Sequence, residues 1–163
     1  MGTAVAGGLT VTLGDVLRKE RQARGLSAAD VAAKLGIAAA EYDTLEQGQT
    51  PAERWGPVLA KIAIRLETPT SRLISQSGRA ADARAGDCGT RIQTARVERG
   101  IAPTAVAEYV ELSAADYAQI ESGQSPIEQY GPLLLRFAEV VDQPVFNLFY
   151  PCGIAFEKLE DYP

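Results

Sequence analysis

The chain has 163 residues, of which 46% are hydrophobic and 23% charged, and this composition is typical of a soluble globular protein. It contains no apolar run long enough to cross a bilayer, and residues 1–12 lack the features of a signal peptide, so we expect a cytoplasmic protein. The net charge of −5 is uneven, with +1 on residues 1–75, zero on 76–88 and −6 on 89–163. The second half would therefore repel a polyanion at long range.

One segment occurs twice in the chain. Residues 14–75 align without a gap with residues 89–150 at a constant offset of 75, and 20 of the 62 pairs are identical. We call these segments the first and second repeats. Similarity at a fixed spacing indicates one structural unit used twice. Every functional hypothesis can therefore be tested in two copies.

Apolar residues recur at helical spacing throughout the first repeat, and glycines or prolines punctuate them. The pattern predicts four helices and a fifth helical turn that starts at Pro69. The four helices are predicted at Leu13–Arg24, Ser27–Leu35, Ala39–Gln47 and Ala52–Leu66. Trp55-Gly56-Pro57 is most simply a loop and helix start, with the aromatic ring covering the edge of the core.

The second repeat predicts the same five elements, and Pro103 falls in a first helical turn, where proline is tolerated. They are predicted at Cys88–Arg99, Pro103–Val110, Ala114–Ser122, Ile127–Val141 and Pro144–Phe149. No segment shows the alternation of a strand. The fold class is therefore all-α, with a first domain at 13–75, a polar linker at 76–87 that is partly helical in its middle, a second domain at 88–151 and a tail at 152–163.

The chain ends in an aromatic segment and has two cysteines. The candidate partner surface consists of Phe146, Phe149, Tyr150 and Phe156. The alternative is that these rings pack on their own domain. Cys88 and Cys152 bracket the second repeat, and they are either reduced thiols or, if the ends of the repeat meet, a clasp that closes it. Two thiols in a chain without histidine make a poor zinc site, because structural zinc needs four ligands.

Each repeat resembles the Cro/C1-type (XRE-family) helix-turn-helix. The resemblance is carried by a helix-one arginine, a tight turn between the second and third helices, and Glu-x-Gly-x-x-Pro after the third helix. It implies two tandem five-helix domains. It also implies a scaffold role for Arg21, Glu46, Gly48, Arg96, Glu121 and Gly123, in which the glutamates brace the helix junction with the arginines.

In this family the third helix presents polar or basic side chains to base edges in the major groove. Base readout uses Arg, Lys, Asn or Gln. The corresponding candidate recognition face here consists of Ala39, Ala40, Glu41, Asp43, Thr44, Ala114, Ala115, Asp116 and Gln119. Gln49 and Gln124 occupy the loop position where family members often carry a basic residue. Basic residues are therefore missing from the candidate recognition face in both copies.

These residues favour a non-enzymatic adaptor, accessory subunit or regulatory factor that binds a protein partner. The alternative is a DNA-binding transcriptional regulator that uses the two domains as a pseudo-dimer. DNA as a partner is possible but disfavoured by the recognition face. With no histidine, nucleophile motif, phosphate-binding glycine loop or metal-spaced cluster, the sequence predicts no catalytic residues, no cofactor and no metal.

Overall fold

The computed structural model describes residues 11–152. This part of the chain is entirely helical and contains no strand. The first repeat forms α1 (Leu13–Ala23), α2 (Ala28–Leu35), α3 (Ala39–Glu46) and α4 (Ala52–Leu66). The second repeat forms α5 (Asp87–Glu98), α6 (Pro103–Tyr109), α7 (Ala114–Glu121), α8 (Ile127–Val140) and α9 (Phe146–Phe149). None of the described helices is long and apolar enough to cross a membrane.

Local capping explains why these helices begin and end where the sequence predicts. The hydroxyls of Thr12 and Ser27 each accept a hydrogen bond from the amide three residues on, which caps α1 and α2. Gly36 ends α2 with φ of 73°, in the left-handed region that glycine enters without steric cost. These caps fix the short α2–α3 turn.

Two predicted features take a different form. The fifth element of the first repeat is a 3₁₀ turn at Thr70–Leu73, which we call the 70–73 turn. The predicted helix at Ala52–Leu66 is confirmed, whereas the interpretation of Trp55-Gly56-Pro57 as a loop and helix start was wrong, because α4 begins at Ala52 and contains all three residues. The linker carries a short 3₁₀ helix at Ala80–Asp82, where we expected partial helix.

The two repeats share one hydrophobic core. Helix α4 packs against its counterpart α8, α2 packs against α8, and α4 packs against α6. The ring of Tyr42 on α3 stacks on Phe137 of α8, with centroids 6.4 Å apart. Arg136 of α8 donates a hydrogen bond of 3.0 Å to the carbonyl of Leu35 at the end of α2. Each repeat thus completes part of the other's interior.

The last element of each repeat packs on the first helix of the other repeat. Helix α9 contacts α1 and α4, and the 70–73 turn contacts α5. A Cβ atom at Gly56 would lie 2.7 Å from Cε1 of Phe149. At the equivalent Gly131 it would lie 3.6 Å from Cγ1 of Ile74, the counterpart of Phe149. The fifth elements are therefore exchanged between the repeats.

This exchange decides the role of the aromatic segment. Phe146 and Phe149 have no exposed surface, so they belong to the core and not to a partner surface, as the alternative interpretation held. Tyr150 is half-buried and packs against the core, and Phe156 lies outside the described residues. Cys88 and Cys152 are both free thiols.

Candidate recognition surface

Helix α3 is held by a close approach of α1. A Cβ atom at Gly14 would lie 2.3 Å from the carbonyl oxygen of Glu46, so only glycine allows this contact. Gly89 of α5 has the same relation to the carbonyl of Ile120 on α7, also at 2.3 Å. Both helices that correspond to the recognition helix are therefore fixed by backbone packing.

A repeated ion pair braces the same junction. Arg21 binds both carboxylate oxygens of Glu46, at 2.6 and 3.1 Å, and donates a third hydrogen bond of 2.9 Å to the carbonyl of Leu26. In the second repeat Arg96 binds Glu121 at 2.5 and 3.0 Å. The paired side chains are only 11–13% exposed. Such two-point contacts fix orientation as well as distance, which fits the bracing role implied for these residues.

The Glu46 pair makes stability depend on pH. Burial by itself would raise the pKa of Glu46, but the hydrogen bonds and charge of Arg21 outweigh it, and the pKa is lowered. A carboxyl group whose pKa is lowered by folding stabilises the protein above its unfolded pKa, about 4.3 for Glu, and this contribution disappears as the pH falls through the folded value.

We therefore expect the variant Glu46→Gln to lose about 3 kcal/mol of unfolding free energy at pH 7, because Arg21 is left without its charge partner. The difference from the wild type should shrink as the pH falls below about 4.3. Urea denaturation at pH 7, 5 and 3.5 measures this. A difference that stays constant with pH would contradict the assignment of the pH dependence to Glu46.

Two further carboxylates position the recognition surface, and the sequence analysis missed them. Glu53 of α4 accepts hydrogen bonds from the amides of Leu13 and Gly14, at 2.9 and 2.8 Å, at the start of α1. Its counterpart Glu128 accepts from the amides that open α5, including Gly89 at 2.8 Å. The sequence pattern that could have identified them is that glutamate stands at equivalent positions of the two repeats.

The predicted recognition face lies on the outside of α3 and α7. Eight of its nine residues are exposed, and Thr44 is half-buried, with its hydroxyl donating to the carbonyl of Glu41 at 2.6 Å. The exposed members are Ala39, Ala40, Glu41, Asp43, Ala114, Ala115, Asp116 and Gln119. The two helices thus present methyl groups, three carboxylates and one amide to solvent.

Two arginines of the first repeat lie on the helices that flank α3. Arg18 on α1 pairs with Asp15 at 2.6 Å. Arg54 follows the turn after α3, is exposed, and stacks over the ring of Trp55 at 4.6 Å. Its counterpart in the second repeat is Gln129. Arg54 is thus a basic residue that the sequence analysis did not single out, and it occurs in one copy only.

Two concave regions adjoin the face. A groove of about 400 Å³ in the second repeat is mostly apolar, and it is lined by Gln93, Pro103, Thr104, Ala114, Tyr117 and Ala118, among others. A larger cavity of about 690 Å³ lies between the repeats and is bordered by Glu41 and Ile37 on one side and by Gln124, Tyr130 and Arg136 on the other. The start of α3 therefore borders the second repeat.

Within residues 11–152 no group of three or more carboxylate or thiol ligands could hold a metal ion. Burial raises the pKa of the Cys88 thiol to about 12 and that of Cys152 to about 11. Both sulfurs are therefore protonated near neutral pH and are poor nucleophiles.

A family model described as a helix-turn-helix domain matches residues 12–71. The match covers the first repeat into the 70–73 turn, and it includes the α2–α3 pair and the part of the recognition face that lies on α3. The first repeat is therefore similar to helix-turn-helix domains. Comparisons with curated proteins and with solved structures gave no match.

Proposed function

We propose that the chain is a regulatory protein in which two XRE-type helix-turn-helix domains, residues 13–75 and 88–151, act as one body and bind a protein partner. The observation that carries this proposal is the chemistry of the exposed faces of α3 and α7. Both present alanine methyl groups with carboxylates, and neither carries an arginine or lysine on its exposed surface. We propose that the scaffold has been retained while its contact surface serves a protein.

Electrostatics supports a protein partner over DNA. A DNA-binding protein gains affinity by neutralising phosphates with Lys or Arg. Glu41, Asp43 and Asp116 place negative charge where such cations would be needed. The methyl groups beside them allow close approach of another backbone, and the 400 Å³ groove can accept an apolar side chain. We therefore expect a partner with basic and apolar side chains on the same surface.

To find the partner, the full-length chain is used as bait in an extract of the native host that has been treated with nuclease, and the proteins bound to it are recovered. The variants Ala39→Arg, on the face, and Ala118→Arg, in the adjoining groove, add bulk and positive charge and should abolish capture. The control Ala81→Arg adds the same group at an exposed position in the linker helix. Partners that bind all variants equally would contradict the use of this face.

DNA binding is the second candidate, and two observations favour it. The first is the family match over residues 12–71. The second is the packing of two similar units against each other, since helix-turn-helix dimers read two half-sites with two such units. Titration with random and promoter DNA over a range of salt concentrations separates the candidates. Log K should fall by roughly 0.9 per log salt for each phosphate contact if DNA is the partner.

The charge on the face yields its own prediction. The triple variant Glu41→Lys, Asp43→Lys, Asp116→Lys should raise non-specific DNA affinity by about tenfold or more, because it replaces repulsion with attraction on both faces. A control with the same change in charge outside α3 and α7 is Glu108→Lys, Glu111→Lys, Asp142→Lys. Equal gains in both triple variants would mean that net charge, not the face, sets the affinity.

A further inference from the structure

A basic cleft lies between the repeats, away from the recognition face. It has a volume of about 440 Å³ and is formed by the 70–73 turn, the two residues before that turn, and one side of α5 with its C-terminal end. Its polar lining includes Thr68, Arg72, Thr90, Arg91, Thr94 and Arg99. Gln93, which lines the groove of the recognition surface, lies about 200° around α5 from Arg91. The cleft is therefore a separate surface.

The three arginines of the cleft are oriented by backbone carbonyls. Arg91 donates from Nε to the carbonyl of Arg72 at 2.9 Å, and Arg72 donates to the carbonyl of Gln76 at 2.9 Å. Arg99 donates to the carbonyl of Glu67 at 3.1 Å. Among the described residues none of the three forms an ion pair. A guanidinium has five N–H donors, so each arginine has donors left for a ligand.

The charge of the lining is positive although the second half of the chain is acidic. Glu98 is the one acidic residue of the lining, so the formal charge is +2. Pro69, Leu73 and Ala95 add an apolar wall. Guanidinium groups recognise phosphate through paired hydrogen bonds. Arg91 and Arg99 are about 12 Å apart along α5, a separation that suits an elongated anion.

The other copy of this cleft does not carry the same chemistry. At the offset of 75, Arg91 corresponds to Val16 and Arg72 to Asn147, and only Arg99 has a basic counterpart, Arg24. The position of Thr90 is held by Asp15. If these arginines served only to join the repeats, we would expect them in both copies of the cleft. The basic cluster is therefore a property of one cleft and not of the fold.

We propose that this cleft binds a small phosphate-bearing ligand of the nucleoside di- or triphosphate class. The arginines and threonine hydroxyls hold the phosphates, and the apolar wall contacts the nucleoside. The volume is within the usual range for small-molecule sites, roughly 300–1,000 Å³. A concave site of this size fits a nucleotide better than it fits the convex backbone of a duplex.

The test follows backbone amide shifts of the ¹⁵N-labelled full-length chain during titration with ATP. Sodium sulfate at matched ionic strength is the control for general anion effects. We expect saturable shifts at Thr68, Arg72, Thr90, Arg91 and Thr94 with ATP and not with sulfate. No shift, equal shifts with sulfate, or stronger perturbation of these residues by a short DNA duplex would overturn the proposal.

Substitutions locate the binding. Arg99→Gln should raise the Kd for ATP about tenfold or more, and Thr94→Glu, at an exposed position within the cleft, should abolish binding. The controls at the equivalent positions of the first repeat are Arg24→Gln and Lys19→Gln, which make the same changes in charge and should leave the Kd unchanged. An amide spectrum of each variant without ligand verifies the fold. Equal effects at the cleft and control positions would overturn the assignment.

Discussion

Replacing Gly14 with alanine is expected to destabilise the protein by about 3 kcal/mol or more, among the largest effects of adding a single methyl group. The new Cβ atom would lie 2.3 Å from the carbonyl oxygen of Glu46 and 2.7 Å from that of Leu45. These contacts are with backbone, so α1 and α3 must separate to relieve them. The separation also stretches the Arg21–Glu46 contact, which joins the same two helices.

Thermal and urea denaturation of the Gly14→Ala variant measure the effect. Gly89→Ala should behave alike, since its Cβ atom would lie 2.3 Å from the carbonyl of Ile120. Gly36→Ala is the control, because nothing lies within 4 Å of its Cβ position and the cost comes only from a φ of 73°. That cost is about 1 kcal/mol. A Gly14 variant no less stable than the Gly36 variant would show that α1 can move away cheaply.

Replacing Phe149 with alanine is expected to cost about 3–5 kcal/mol and to destabilise the first repeat, although Phe149 belongs to the second. The ring is fully buried and lies over Gly56 of α4. The fluorescence of Trp55, the one tryptophan in the sequence, reports on the first repeat, and far-UV circular dichroism reports on the whole chain. Both signals should shift together to a lower urea midpoint.

Independent folding of the two repeats would give a different result. If the repeats fold separately, Trp55 fluorescence should keep its wild-type midpoint in the Phe149→Ala variant while circular dichroism shows two transitions. Glu108→Ala, at an exposed position of α6, serves as the control and should leave both midpoints unchanged.

A chain truncated after Ser75 should fail to fold for the same reason, because it lacks α9 and exposes the face of α4 that α8 covers.

The helices were predictable because local signals and burial agree. Gly25, Gly36, Gly48, Gly100 and Gly123 all have φ between 65° and 80°, and each marks a helix end that the sequence places within a residue or two. At Pro57 and Pro132 the apolar spacing was the better guide, because it predicted helices that run through both prolines, as α4 and α8 do.

Part of the candidate site was predictable from the sequence and part was not. Exposure of Glu41, Asp43 and Asp116 followed from helical spacing, because Tyr42 and Leu45 take the buried side of α3. The burial of Phe149 did not follow, since the same apolar pattern serves an intramolecular or an external contact equally well. The basic cleft was also invisible, because Arg72 and Arg91 are 19 residues apart and meet only when the 70–73 turn packs on α5.

The exchange of the fifth elements has a consequence for how the protein is made. Residues of α1 such as Leu13 lie beside Phe149, close to the opposite end of the described chain. During synthesis the first repeat emerges long before its covering helix α9 exists, so it cannot reach its final form until the second repeat has been made. Contacts between such distant parts of a chain slow folding. The nascent first repeat therefore has an apolar surface open to solvent or chaperones throughout the synthesis of the second.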